Sequence, residues 1–138
     1  MTVSTPTVLD LQRVLDGTAF LEPYGFRVES AAPGECRVRI PFLRSLERPG
    51  GIISGMMLMG AADVAMWLAI MTLRGVAERW VTADMKTAFL RSARDEDIVC
   101  AARILKPGRR SMYGTAECLG AHRQLVAHHV LTYSQVEP

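Results

Sequence analysis

The sequence predicts an α+β domain in which an antiparallel sheet of about six strands wraps around one long buried helix. Two observations carry this. From Met56 to Leu73 the chain reads MMLMGAADVAMWLAIMTL, apolar on every side except for the carboxylate of Asp63. A helix of that kind must be buried somewhere. Beyond Gly75 four runs of strand composition follow one another, and hairpin-length turns separate the last three, which implies antiparallel pairing.

The elements follow in order. Thr5-Pro6 marks a helix start, since Thr caps and Pro suits the first helical position. Val8, Leu11, Val14 and Leu15 then form an apolar face, and Gly17 ends a helix over residues 6–16. Tyr24 to Ser30 alternates, with Phe26 and Val28 on one side and Arg27 and Glu29 on the other. After a turn from Ala31 to Gly34, Cys36, Val38 and Ile40 alternate with Glu35, Arg37 and Arg39 until Pro41 closes the strand. Leu43 to Ile53 reads as a loop around Pro49-Gly50-Gly51, feeding a central helix over residues 55–74 with Ser54 as its N-cap. The later strands are Val81–Leu90, Asp97–Lys106, Ser111–Leu119 and Leu125–Tyr133, with turns at Pro107-Gly108 and from Gly120 to Arg123. One helix cannot cover both faces of such a sheet, so the other face meets a partner subunit or stays polar.

Bulk properties narrow the function. A length of 138 residues suits a single domain over 1–138. A net charge of +2 is too small to argue for nucleic acid or an anionic membrane surface as partner. Cys36, Cys100 and Cys118 stand isolated, which points to a reducing, cytoplasmic setting and to roles as small buried hydrophobes. The N-terminal MTVSTPTVLDLQ lacks the basic and apolar regions of a secretion signal. The Met56–Leu73 run approaches the ~20 residues that span a bilayer. Asp63, the small residues Gly60 to Ala62 and the amphipathic strands around it favour a protein core instead.

Asp63 is the first candidate for chemistry, because a carboxylate on an apolar helix loses hydration at a cost of several kcal/mol unless compensated. Its helical neighbours are Met59, Gly60, Met66 and Trp67, none of them a base or a cation, so a partner must come from another segment or the group borders a wet cleft. Upstream, Gly50-Gly51-Ile52-Ile53-Ser54-Gly55 leads into the helix, and Gly55 exposes a first-turn amide that can hold a developing oxyanion. Gly55 and Asp63 are ~12 Å apart along the axis. They serve one substrate only if it lies along the helix or if subunits interleave.

These residues resemble the PaaI-type acyl-CoA thioesterases of the hotdog fold. That family carries N-x-x-G-x-x-H-G-G and then an Asp nine residues after the His. Here the frame reads Arg48-Pro49-Gly50-Gly51-Ile52-Ile53-Ser54-Gly55-Met56, with Asp63 nine residues after Ser54. Thr82-Ala83-Asp84-Met85 is similar to the family's (S/T)-x-D-M strand, and Lys106-Pro107-Gly108-Arg109 to its K-x-G-(R/K) turn. The resemblance spans roughly Gly34 to Ser134.

It implies a hotdog homodimer, or a dimer of dimers, with each site shared between two chains and hydrolysing an acyl-CoA. Asp63 is then the general base or nucleophile, the Gly55 amide polarises the thioester carbonyl, and Thr82 of the partner chain positions water. Strict alternation places Thr82 with Asp84 and Lys86, away from Val81, Ala83, Met85 and Phe89. Ser54, Arg48 and Met56 stand where the family has His, Asn and the second Gly: a variant Ser-Gly branch. Arg48 would fix the charge of Asp63 or meet a coenzyme A phosphate, and Met56 would narrow the space above the helix. Arg91, Arg109 and Arg110 are further candidates for the nucleotide. No cofactor is called for, coenzyme A entering only as part of the substrate.

The other polar residues carry less. His128 and His129 are adjacent on a strand and point to opposite faces, and His129 shares the face of Leu125, Leu131 and Tyr133, as a core or interface histidine does. His122 falls in a turn. No His, Cys and carboxylate set has metal-ligand spacing. The alternative to hydrolysis is a non-catalytic acyl-CoA or lipid-binding hotdog protein. A hydratase would want a His near the helix, and none occurs from Met1 to Ala121.

Overall fold

In a computed structural model the chain is described over residues 5–136, so both ends of the expected domain, 1–4 and 137–138, lie outside the described residues. Helix α1 (Val8–Asp16) begins later than Thr5-Pro6 suggests, because Thr7 is the cap. Its hydroxyl accepts the Asp10 N–H at 3.1 Å while the Asp10 carboxylate accepts the Thr7 N–H at 2.8 Å. This reciprocal cap satisfies two otherwise orphaned donors. Gly17 ends the helix as expected. A 3-10 turn, Ala19–Tyr24, takes up the first residue of the expected first strand, and β1 (Arg27–Ala32) starts later than expected and runs on through Ala31 and Ala32, which the sequence assigns to the turn.

Strand β2 (Glu35–Ile40) buries Cys36, Val38 and Ile40 and exposes Glu35, Arg37 and Arg39, so the outer face of the sheet is polar there. The expected loop from Leu43 to Ile53 has structure of its own. A 3-10 turn, Arg44–Leu46, precedes a small hairpin of β3 (Glu47–Arg48) and β4 (Ile52–Ile53). Gly50 and Gly51 reverse the chain at φ 92° and 75°, the left-handed region that glycine adopts without strain.

The central helix α2 (Gly55–Arg74) is followed by β5 (Trp80–Phe89), β6 (Ile98–Pro107), β7 (Ser111–Leu119) and β8 (Leu125–Gln135). The six long strands form one antiparallel sheet in the order β1-β2-β6-β7-β8-β5. Strand β5 is therefore an edge. Helix α2 touches every one of these strands, and Ala61, Ala62, Ala65 and Ala69 along it are fully buried. Small residues bring it close to the sheet. At Gly114 of β7 a Cβ would lie 2.7 Å from the Met66 methyl. The bilayer-length run is thus a core helix.

The three cysteines are free and buried. His129 is fully buried, its Nδ1 2.8 Å from the Thr87 hydroxyl and its Nε2 3.4 Å from the Cys118 sulfur. It is a core histidine, on the face shared with Leu131 and Tyr133.

Candidate active site

Ser54 caps α2 as the sequence indicates, its Oγ accepting the Met57 N–H at 3.2 Å. The Gly55 and Met56 amides of that first turn have no acceptor within the helix. Gly55 does more than bare an amide: a Cβ there would lie 3.0 Å from two ring atoms of Phe89, so the missing side chain makes room for that ring. Met56 is 84% exposed at the mouth of a cleft, and beside it Gly60 faces open space.

Asp63, half-buried two turns further on, takes its partners from the sheet. The Thr82 hydroxyl donates to Asp63 Oδ1. The Tyr133 hydroxyl, on β8, lies 2.6 Å from Oδ1 and 2.7 Å from the Asp63 carbonyl oxygen. Burial first, then the charge of Asp63 and the hydrogen bond to it, push the Tyr133 phenol far above its ordinary range. Tyr133 therefore keeps its proton and acts as a donor. Sequence reading placed Tyr133 on the core face and missed its partner, which lies 70 positions away.

Two expectations for Thr82 change. Within this single chain Thr82 already reaches Asp63, so the contact does not need a partner subunit. Strict alternation also fails. Thr82 pairs with Tyr133 and Asp84 with Thr132, so Ala83 is an extra residue in the ladder. Such a bulge flips the alternation. Thr82 before it and Met85, Thr87 and Phe89 after it share the helix-facing side, while Asp84 and Lys86 face away.

Asp63 lines a cleft of about 1220 Å³ between α2, the 3-10 turn of Ala19–Tyr24 and the segment entering β5. Ser54, Met56 and Thr82 also line it; Arg48, Arg91, Arg109 and Arg110 do not. Arg48 is exposed on β3, and among the described residues no salt bridge joins it to Asp63. Arg109 and Arg110 occupy the β6–β7 turn, where the Arg109 carbonyl accepts from Arg74 at the C-terminal end of α2, the end opposite Gly55. Among the described residues no group of three or more His, Cys, Asp or Glu side chains is arranged to hold a metal ion.

A long helix wrapped by a six-stranded antiparallel sheet, with an apolar cleft beside its one carboxylate, defines a hotdog-fold thioesterase. The chain belongs to the Thioesterase superfamily, whose model matches residues 50–127, a span containing Gly55, Asp63 and Thr82. A conserved Pseudomonas aeruginosa protein of known structure is 32% identical, with 90% of this chain and 98% of that one covered and a TM-score of 0.83. A Halobacterium salinarum protein, provisionally named an esterase, is 32% identical over 112 residues, 78% of this chain and 72% of its own length. The PaaI protein of the Escherichia coli phenylacetic acid degradation operon shares the fold, with a TM-score of 0.82 at 16% identity over 91% of this chain and 90% of that one.

Proposed function

We propose that the protein hydrolyses an acyl-CoA thioester to the free acid and coenzyme A at Asp63. The observation that carries this reading is the carboxylate itself: two hydroxyls, from Thr82 and Tyr133, bond to Oδ1 at the wall of an apolar cleft. Donors on one oxygen offset the desolvation of a half-buried carboxylate and leave Oδ2 for the reacting groups. As a general base, Asp63 takes a proton from water as the water oxygen adds to the carbonyl carbon. The C–S bond then breaks, and coenzyme A leaves as the thiol once the proton is returned to sulfur. As a nucleophile, its carboxylate oxygen adds to the carbonyl carbon and the C–S bond breaks, expelling coenzyme A as a thiolate that takes a proton from water. A second water then opens the acyl anhydride to the free acid and the Asp63 carboxylate. Trapping an acyl-enzyme distinguishes the two.

The carbonyl oxygen needs a donor, and the Gly55 amide is the candidate. Gly55 and Asp63 are ~12 Å apart on one helix, so the amide at each carboxylate comes from a second copy. Strand β5 supports this. It is a ten-residue edge strand with Val81 and Phe89 more than half exposed, and an unpaired edge of this length is a template for a second strand. Two copies joined there by a two-fold axis make a homodimer, which a further pairing extends to a dimer of dimers. Arg48 and Arg91, outside the cleft, are candidates to meet the nucleotide of coenzyme A, whereas Arg109 and Arg110 lie at the C-terminal end of α2. Free, buried thiols suit a cytoplasmic setting.

The test is a screen of the purified protein against acyl-CoAs, following release of free thiol. Hydrolysis predicts turnover of at least one of them. Saturable binding without thiol release from any would instead make this an acyl-CoA-binding protein.

A further inference from the structure

The cleft at Asp63 is mixed toward the N-terminal end of α2, where Ser45, Glu47 and Ser54 line it together with Leu46, Met56 and Met57. Toward the C-terminal end it is lined by Val64, Trp67 and Met71, faced by Phe20 and Leu21, with Glu78 and Arg79 also in the lining. Arg74 and Glu78 form an ion pair at 2.9 Å, the Trp80 indole N–H donates to the other Glu78 oxygen at 3.1 Å, and the Arg74 guanidinium lies 5.2 Å from the Trp80 ring centre. Glu78 and Trp80 line the cleft, so this latch forms part of its wall near the C-terminal end of α2.

From Asp63 to Met71 the helix advances ~12 Å. An extended saturated chain advances about 1.3 Å per carbon, given C–C bonds near 1.5 Å and tetrahedral angles. We infer that the apolar half of the cleft takes a linear saturated acyl chain of about eight to ten carbons, with the thioester at Asp63 and the methyl end against Val76 and Trp80. An aryl-acetyl group would end near Trp67 and leave Met71, Val76 and Trp80 uncovered. Longer chains would run past Val76 and meet the Arg74–Glu78–Trp80 latch or water. This assignment rests on the thioesterase reading, and it makes Trp67, Met71 and Val76 the residues that set chain length.

The experiment is the chain-length profile of kcat/KM for saturated acyl-CoAs from two to sixteen carbons, with phenylacetyl-CoA alongside. The expected profile rises, by up to about fourfold per methylene as each is buried, peaks at eight to ten carbons and falls beyond. Val76 is half exposed, so Val76→Trp fills the far end without disturbing the core; it should move the peak to shorter chains. A flat profile, a peak at two to four carbons or a preference for phenylacetyl-CoA overturns the assignment while the thioesterase reading stands. No thiol release from any acyl-CoA overturns both.

Discussion

The Tyr133 hydroxyl reaches two oxygens of one residue, lying 2.6 Å from the carboxylate Oδ1 of Asp63 and 2.7 Å from its backbone carbonyl. A buried phenol on the sheet thus fixes the position of a carboxylate on the helix. Tyr133→Phe keeps the ring volume and removes the donor. The expected result is a 10–100-fold fall in kcat, corresponding to the loss of one hydrogen bond to a charged group, about 1.5–3 kcal/mol, with a cooperative thermal transition retained. An unchanged kcat would remove Tyr133 from the site.

Thr82 reaches Asp63 because Ala83 bulges out of the ladder. Thr82→Val keeps the shape and deletes the hydroxyl, whereas Thr82→Ser keeps it. Steady-state kinetics should show the Val variant about tenfold slower, as expected for one lost hydrogen bond, and the Ser variant close to wild type. Loss in the Ser variant with the Val variant close to wild type would make the methyl group, not the hydroxyl, the part that matters.

The helix and the pairing partners of this site differ in how legible they are. Central-helix limits are local signals: Ser54 caps, Gly75 ends, and the apolar run lies between them. The later strands follow from alternation, and Ser111–Leu119 emerges with the expected bounds. Thr7-x-x-Asp10 is also a local signal, which the neighbouring Thr5-Pro6 obscures. The bulge at Ala83 is different. Nothing in Val81 to Leu90 marks where the alternation breaks, so the side of Thr82 depends on how β5 pairs with β8. The Asp63–Tyr133 bond likewise joins elements that only the folded sheet brings together.

Whether the site is shared between chains is open to a complementation experiment. Gly55→Pro deletes one amide; proline is tolerated at the first helical position, Ser54 has the extended backbone a following proline requires, ψ 149°, and the exposed Phe89 ring has to shift by a few tenths of an ångström to admit the new Cβ. Homo-oligomers of Gly55→Pro or of Asp63→Asn should be inactive. Mixed dimers pair the intact Asp63 of one chain with the intact Gly55 of the other at one of their two sites. Activity should therefore reappear on co-refolding. No recovery despite mixed dimers would place both groups in one chain.

Burial pushes the Cys36 thiol from 9.0 up to about 12. Below pH 9 the thiol is protonated in both folded and unfolded chains, and the folded state loses nothing. Above it the unfolded thiol ionises while the folded one holds its proton, so stability falls as pH rises toward 12. Between pH 8 and 11 this contributes roughly 2–3 kcal/mol of lost stability. Denaturant titrations should show Cys36→Ala losing that much less than wild type over the same interval; identical slopes would contradict it.

The central claim is that Asp63 carries the reaction. Asp63→Asn is nearly isosteric and keeps an oxygen for Thr82 and Tyr133 to bond, so the fold should persist. The direct measurement is kcat for thiol release from the best acyl-CoA, wild type against Asp63→Asn, with thermal unfolding of both as control. A fall of about a thousandfold or more at a similar midpoint is predicted, in line with losing a general base or nucleophile. Equal turnover by the two proteins would contradict it.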